Sequence, residues 1–287
     1  MNLTLIMCTL GRTEEPKRLL DSLVIQTHKD FKLIIVDQNT DGRLDKLVAD
    51  YSSSLPITHL QSSPGLSKAR NAGLSYANEG IIAFPDDDCW YSPTLIEQVS
   101  NFFTKEPDYN GLSINRAASE KSCPKITPEQ ELSKFTIWGK VPSICLFLRY
   151  SATLEIGKFD EQLGVGSGTL WGAGEDSDYV LRSLHKGHRW KRAPSITVYH
   201  ADNIQRTDVK GKARVRSYSR GLGRVLSKHK MPLWSVIGSL ILSLLRILKA
   251  LLLIDFQGYR WQTQALLGKI EGLLSKEKQT IDSQNHH

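Results

Sequence analysis

The sequence predicts an α/β fold, a mostly parallel sheet flanked by helices, followed by a helical C-terminal region. Three observations carry that prediction. Short apolar runs bounded by turn residues alternate with segments of helical spacing through the first hundred residues. Polar residues gather directly behind the apolar runs. Beyond about residue 205 the chain becomes strongly basic and then almost continuously apolar. At 287 residues, with 40% hydrophobic and 23% charged side chains, the chain has the composition of a folded soluble protein of one large domain with an appendage.

Leu3-Thr-Leu-Ile-Met-Cys8 reads as the first strand, ending in the turn Thr9-Leu-Gly-Arg12. Residues 14–28 place Leu19, Leu20, Leu23 and Val24 at helical spacing. Phe31-Lys-Leu-Ile-Ile-Val36 is the second strand, closed by the dense turn signal Asp37-Gln-Asn-Thr-Asp-Gly42. A helix over about 43–52 and a short strand near Ile57–Leu60 follow. Next come Gly65-Leu-Ser-Lys-Ala-Arg-Asn-Ala-Gly73 and a helix to Ala77. Ile81 to Phe84, bounded by Gly80 and Pro85, reads as a buried strand. In parallel sheets of this kind ligands bind beyond the carboxyl ends of the strands. Thr9, Asp37 and the aspartates after Phe84 all fall at such ends, so they converge on one crevice.

Those aspartates, Asp86, Asp87 and Asp88, are the sharpest chemical signal. Three adjacent carboxylates at the mouth of a buried strand repel one another, and burial raises their pKa values. A hard divalent cation relieves both costs, and Mg²⁺ commonly completes its shell with substrate phosphates. A polar strand-to-loop turn is the plainer reading of the same residues. Four scattered cysteines (Cys8, Cys89, Cys123, Cys145), without a CxxC pair and without a signal peptide at Met1, predict a reducing, cytoplasmic location.

The motifs in order are Cys8-Thr-Leu-Gly-Arg12, Val36-Asp-Gln-Asn39, Gly65-Leu-Ser-Lys-Ala-Arg-Asn-Ala-Gly73 and Phe84-Pro-Asp-Asp-Asp-Cys-Trp90. They continue in Gly157-Lys-Phe-Asp-Glu161, Gly174-Glu-Asp-Ser-Asp-Tyr-Val-Leu-Arg182 and Tyr218-Ser-Arg-Gly-Leu-Gly-Arg-Val-Leu-Ser-Lys-His229. This order, over roughly residues 1–230, resembles glycosyltransferase family 2, the GT-A nucleotide-sugar transferases, in its bacterial members. The resemblance implies a catalytic domain over 1–205, with a nucleotide-sugar half over about 1–100 and an acceptor half over about 101–205. A basic, amphipathic helical region over 206–287 completes the chain.

The roles that the resemblance implies attach to single residues. Thr9 and Asp37 match positions that hold base and ribose, and Arg12, Asn39 and Asp87 are further expected donor neighbours. Arg70 matches a basic residue near the nucleotide, and Lys68 is a weaker candidate for the diphosphate. Gln38 stands where the family usually has Asp, and Pro85 where Leu is commoner. Asp86 and Asp88 match the Asp-x-Asp pair that holds Mn²⁺ or Mg²⁺, with Asp88 the expected direct ligand and His200 a further candidate. Asp176 matches the base that takes the acceptor proton, and Glu175 an acceptor-binding or orienting residue. As plain helix chemistry, Glu175, Asp176 and Asp178 are first-turn acids favoured by the macrodipole. Gly164-Val-Gly-Ser-Gly-Thr-Leu-Trp-Gly-Ala-Gly174 supplies backbone that can approach a sugar closely. Trp171 and Gly174 are accordingly expected at the acceptor.

Residues 1–200 hold 22 Lys/Arg against 24 Asp/Glu, whereas 201–287 hold 15 against 6. The excess positive charge therefore lies in the last third, with nine Lys/Arg and one acid between Arg206 and Lys230. Pro232 to Ile254 is long enough to span a bilayer, but Arg246 and Lys249 make that costly. Ser235, Ser239, Ser243, Arg246 and Lys249 form one narrow polar stripe, which predicts a helix lying in an anionic membrane interface. Packing on the protein body or in an oligomer contact remains the alternative, and a second helix near 257–275 is expected to fold back along it.

The expected partners are thus a nucleotide-sugar donor, a saccharide or lipid-linked acceptor, and the inner face of a bacterial cytoplasmic membrane. A second copy or other polysaccharide-assembly enzymes complete the set. A nucleic-acid-binding module is the competing class, but the basic run has no interleaved aromatics beyond Tyr218 and matches no such motif. A sugar nucleotidyltransferase is the third class, and Thr9-Leu-Gly-Arg12 is too short for its phosphate loop.

Overall fold

The computed structural model describes residues 1–122, 127–201 and 209–275. Cys123, part of the Ala117–Pro128 stretch, Arg206 and the expected boundary at 205/206 lie outside the described residues. The chain divides into two compact units, Met1–Thr169 with Glu175–Gln205, and Leu170–Gly174 with Arg206–His287.

In the first unit the elements run β1 (Leu3–Thr9), α1 (Glu15–Val24), β2 (Phe31–Asp37), α2 (Asp45–Tyr51), β3 (Ile57–Gln61), α3 (Leu66–Leu74) and β4 (Ile81–Ala83). They continue as β5 (Cys89–Tyr91), α4 (Leu95–Lys105), β6 (Gly111–Ala117), β7 (Gln130–Glu131), β8 (Leu146–Arg149), α5 (Tyr150–Ile156), α6 (Glu175–His185) and β9 (Trp190–His200). The sheet order is β3-β2-β1-β4-β8-β6-β9-β5, with β7 beside β9. Its first four strands are parallel, whereas β8 runs antiparallel to both neighbours and β5 antiparallel to β9. The architecture is the expected α/β sheet flanked by helices, mixed rather than parallel in its second half.

Continuous apolar sequence explains the parallel part. Every residue of β1 is buried, as a strand covered on both faces requires. Leu19, Leu20 and Leu23 of α1 and Leu95, Ile96, Val99 and Phe103 of α4 fill the core. Helix α3 opens at Leu66, earlier than the sequence predicts, so Lys68 and Arg70 are helical. It seats against β1 and β2 at Gly73, where a Cβ would lie 2.3 Å from the Ile6 side chain. A larger residue there lifts the helix off the sheet.

Register then sets the site. Thr9 pairs with Asp37, and Asp37 with Gln61, so those strand ends lie level. Cys8 bridges to Asp86, which brings the aspartates to the same edge. The short β5 pairs Cys89 with His200, which carries the end of β9 to Asp88.

The second unit holds α7 (Val209–Lys228), α8 (Leu233–Leu252) and α9 (Phe256–Leu274). Helices α7 and α9 cross closely through glycines. A Cβ on Gly223 would lie 2.1 Å from Lys269 O, and one on Gly272 2.0 Å from Arg220 O. Arg216 and Arg220 pair with Glu271 across that crossing. Lys269 of α9 is buried and its Nζ donates to Ser239 O at 3.0 Å, Ser239 Oγ at 2.9 Å and Ser243 Oγ at 2.8 Å. Two serines of the predicted polar stripe therefore face α9, while Arg246 and Lys249 stay exposed. Outside that seam Leu233, Trp234, Ile241, Leu244, Leu245 and Leu248 are all exposed.

Candidate active site

The residues expected at the donor are tied to one another by hydrogen bonds. Asp37 is wholly buried. Its Oδ1 accepts from the Asn39 backbone and side-chain nitrogens, both at 2.8 Å, and its Oδ2 accepts from Gln61 Nε2 at 3.1 Å. Asn39 Oδ1 in turn accepts from Gly11 N at 2.7 Å, fixing the Thr9–Arg12 turn against β2. Gln38 has a structural task as well, since its Oε1 accepts from Gly65 N at 2.8 Å just before α3. An aspartate there would be one methylene shorter.

The three aspartates separate by environment. Asp87 is buried and pairs with Arg12 Nη1 at 2.5 Å; burial raises its carboxyl against the pull of Thr9 and Arg12. Asp88 takes Arg12 Nη1 at 2.7 Å and His200 Nε2 at 3.0 Å. Burial pushes Asp88 up, but His200 and Arg12 prevail and hold it at about 2. Asp86 keeps 36% of its side chain open to the crevice. Its depth in the protein still pushes its carboxyl up to about 6, with Arg70 opposing and Asp176 and Asp88 adding to the rise.

One ligand atom from each of Asp86, Asp88 and His200 lies within 4.8 Å of the others. His200 Nδ1 is 2.7 Å from Ala201 O and Nε2 is 3.0 Å from Asp88, so both nitrogens face acceptors, which favours the protonated ring; a cation at the cluster would take the place of the Nε2 proton. Two carboxylates and an imidazole so oriented fit Mn²⁺ or Mg²⁺ in ligand type. Burial first, and repulsion by Asp176 and Asp88 after it, raise the Asp86 carboxyl, and such a cation offsets both.

Helix α6 brings the second set of acids. Asp178 is buried and pairs with Arg182 Nε at 2.9 Å, a helix-stabilising pair, so it matches the plain first-turn reading. Asp176 turns to the crevice. Its Oδ1 accepts from Arg70 Nη1 at 2.8 Å and its Oδ2 from Ser143 N at 2.8 Å. Glu175 is buried and lies 3.5 Å from the same Arg70 nitrogen; burial, then Asp176, push it up to about 7.

Arg70 is only 2% exposed, lying 3.8 Å from Asp86 as well as against Glu175 and Asp176. Its guanidinium sits 5.4 Å from the Phe159 ring and 6.0 Å from that of Phe84. It is a buried counter-charge of the carboxylates, because α3 seats so deeply on the sheet. Lys68, on the same helix, is exposed. Trp171 belongs to the second unit and is buried, with Arg224 4.9 Å over its ring, so the stacking face expected for a sugar is covered. Gly174, also in that unit, lies where a Cβ would meet Val225 at 2.8 Å.

Ser143 carries no sequence signal, and Asn71 lies in the Gly65–Gly73 motif without a role assigned to it. Ser143 offers a backbone N–H to Asp176, and its Oγ reaches Asp86 Oδ1 at 3.4 Å. Asn71 exchanges hydrogen bonds with Phe159, at 2.7 and 3.0 Å, and donates to Glu161 Oε1 at 2.9 Å. The Gly157–Glu161 motif is thereby tied to α3.

Comparison with known proteins agrees with this geometry. The model of the family described as Glycosyl transferase family 2 matches residues 4–149. The chain is 25% identical over 207 residues to an uncharacterized glycosyltransferase of Haemophilus influenzae, covering 69% of this chain. It spans 64% of that protein's length. Among solved structures, mannosyltransferase PcManGT from Pyrobaculum calidifontis, in complex with GDP-Man and Mn²⁺, superposes with a TM-score of 0.68 at 14% identity, covering 96% of this chain and 88% of that one. Staphylococcus aureus TarS 1-349 in complex with UDP-GlcNAc superposes with a TM-score of 0.60 at 15% identity, covering 94% and 91%.

Proposed function

The chain belongs to glycosyl transferase family 2, and we propose that it is an inverting, metal-dependent hexosyltransferase acting on a nucleoside diphosphate sugar, with UDP as the carrier. The observation that carries this reading is the meeting of two groups at one strand-end crevice. Asp86, Asp88 and His200 form an oxygen- and nitrogen-rich cluster, and Asp176 is oriented beside it by Arg70 and Ser143 N. The acceptor is a saccharide or a lipid-linked saccharide of a bacterial surface polysaccharide.

The chemistry follows from the residues. Thr9, Asp37 and Asn39 would form the wall against which the nucleoside rests, and Asp86, Asp88 and His200 would hold the divalent ion. That ion, when bound, supplies Lewis-acid stabilisation of the charge on the leaving diphosphate. Asp176 accepts the acceptor proton, with both carboxylate oxygens fixed so that a remaining lone pair faces the crevice. A base so placed contributes roughly 10²–10⁴-fold. Attack from the face opposite the leaving group inverts the anomeric centre. Glu175, its carboxyl raised by burial and then by Asp176, shares Arg70 with Asp176 and so helps to orient the base.

The outward apolar face of α8 supports a place for the chain on the inner face of the cytoplasmic membrane. Leu244, Leu245 and Leu248 would enter the acyl boundary, and Arg246 and Lys249 would meet anionic headgroups. The basic run does not favour nucleic acid, because Arg216 and Arg220 are already engaged by Glu271.

Hydrolysis of a panel of nucleotide sugars with Mn²⁺ or Mg²⁺ tests the reading. Metal-dependent release of UDP from one sugar nucleotide supports it. Absence of both hydrolysis and metal-dependent nucleotide binding across the panel overturns it.

A further inference from the structure

A cavity of about 240 Å³ opens where the pairing of β6 with β9 breaks. Its register jumps from Ile114 opposite Ala193 to Asn115 opposite Thr197, passing over Pro194–Ile196. Such irregularities re-aim side chains beside functional sites. Asn115, Arg116, Gly139, Pro142, Cys145 and Arg192 line the cavity, and among the described residues its lining contains no acid.

Two features make the cavity receptive to an anion. Arg192 is half-buried, and its hydrogen bonds all go to neutral oxygens. It reaches Ile114 O at 3.1 Å, Ser113 Oγ at 3.2 Å, and Lys140 O and Asn115 Oδ1 at 3.3 Å. No carboxylate among the described residues lies within ion-pair distance of it. A half-buried guanidinium without a counter-charge is costly, and an anion in the cavity offsets that cost. Asn115 supplies the second feature. A guanidinium only donates, so the oxygen of the Asn115 amide must face Arg192. The NH₂ is then fixed on the other side, and this Nδ2 is buried without a partner.

The cavity also adjoins the reacting groups. Pro142 and Cys145 flank Ser143, whose N–H holds Asp176 and whose Oγ reaches Asp86. Arg116 Nη2 bonds Ala201 O at 3.4 Å, the residue after His200. A molecule with its hydroxyl at Asp176 would thus carry its next group toward Arg192.

We propose that this cavity binds an oxyanion of the acceptor, a phosphate or a carboxylate carried close to the hydroxyl that receives the sugar. This rests on the transferase reading and narrows it: the acceptor is acidic. Arg192 supplies the charge, and Asn115 Nδ2 the neutral donor. The volume accommodates one such group with part of its carbon skeleton, or several waters when it is empty.

Calorimetric titrations into protein saturated with UDP and Mn²⁺ test this, pairing glycerol 3-phosphate with glycerol and glucuronate with glucose. The anionic member of at least one pair should bind about tenfold or more tightly than its neutral partner, as expected for hydrogen bonds to a charged group. The pair that shows the preference distinguishes phosphate from carboxylate. Arg192→Gln should abolish the preference and leave UDP affinity unchanged. Asn115→Asp keeps the side-chain shape but neutralises Arg192 internally, and should abolish it too should the first variant misfold. Equal binding of charged and neutral probes, or a preference surviving both substitutions, overturns the inference while leaving the transferase reading intact. Failure of the wild-type protein to bind UDP with Mn²⁺ overturns the transferase reading instead.

Discussion

Replacing Arg70 by methionine tests the electrostatic organisation of the site most directly. Arg70 is the cation nearest to three carboxylates, at 2.8 Å from Asp176, 3.5 Å from Glu175 and 3.8 Å from Asp86, and it is almost fully buried. Methionine keeps the stem packed against Phe84 and Phe159 but removes the charge. Breaking a buried pair from one side costs about 3–5 kcal/mol, because the remaining charge is left uncompensated. For a unit of this size that is a fall in Tm of roughly 6–20 °C.

The cost should depend on pH in a defined direction. Asp86 stands at about 6 and Glu175 at about 7 while Arg70 is holding both down. Without it both rise, so at pH 8 the variant must either carry unpaired charge or take up protons, at about 1.4 kcal/mol for each unit of pKa change. At pH 5.5 those two groups are largely protonated and much of the penalty disappears. Urea denaturation in the presence of EDTA at pH 8 and pH 5.5 measures both values. A loss of equal size at the two pH values would mean that packing, not charge, is what Arg70 contributes. Unchanged stability with lost nucleotide affinity would put Arg70 on the diphosphate after all.

Four further outcomes are expected. Asp88→Ala should abolish transfer and the metal-dependent part of nucleotide binding by calorimetry; an unchanged Mn²⁺-dependent affinity removes Asp88 from the ligand set. Asp176→Asn should keep donor affinity while turnover falls about 10²-fold or more, and turnover within a few-fold of wild type excludes it as the base. Glu175→Gln should alter the pH dependence of stability. Its folded carboxyl lies at about 7, above the usual value, so the folded state keeps a proton that the unfolded chain loses near pH 4.5. Stability therefore falls as pH rises between those values, by about 3–4 kcal/mol, and the variant should lack that fall; an unaltered slope refutes the assignment. Leu244→Glu with Leu248→Glu on α8 should prevent sedimentation with anionic vesicles without changing Tm or nucleotide binding, and undiminished sedimentation refutes the lipid contact.

The parallel half of the sheet and the converging strand ends were legible because their signals are local. Leu3–Cys8 and Phe31–Val36 are continuous apolar runs, and a parallel register carries the residue after each to the same edge. The aspartates were legible for the same reason, since adjacent carboxylates behind a buried strand state their own electrostatic problem. Arg70 was not, because its role depends on how deeply α3 sits, and Gly73 sets that depth by packing against Ile6 from another element. Ser143 was invisible for a different reason: its contribution to Asp176 is a backbone N–H, which every residue except proline has. Trp171 looked like a sugar platform because an aromatic among glycines does so in sequence, whereas Arg224, 53 positions away, covers its ring.

The tail shows how a correct pattern can be assigned to the wrong face. Ser239 and Ser243 do form a polar stripe, and a stripe on an otherwise apolar helix normally faces water. Here a buried lysine from α9 occupies it, and a buried ammonium requires the oxygens those serines present. The serine half of the stripe is spent on an internal contact, so only Arg246 and Lys249 of it remain on the outward surface. Ending the chain after Lys230 would accordingly do more than remove a lipid-facing helix. It would strip α9 from α7, leaving Arg216 and Arg220 without Glu271 and opening the seam at Gly223 to water. Loss of vesicle binding in such a truncation could then follow from the collapse of its unit. Only substitutions confined to the exposed leucines of α8 separate contact with lipid from the integrity of the hairpin that presents them.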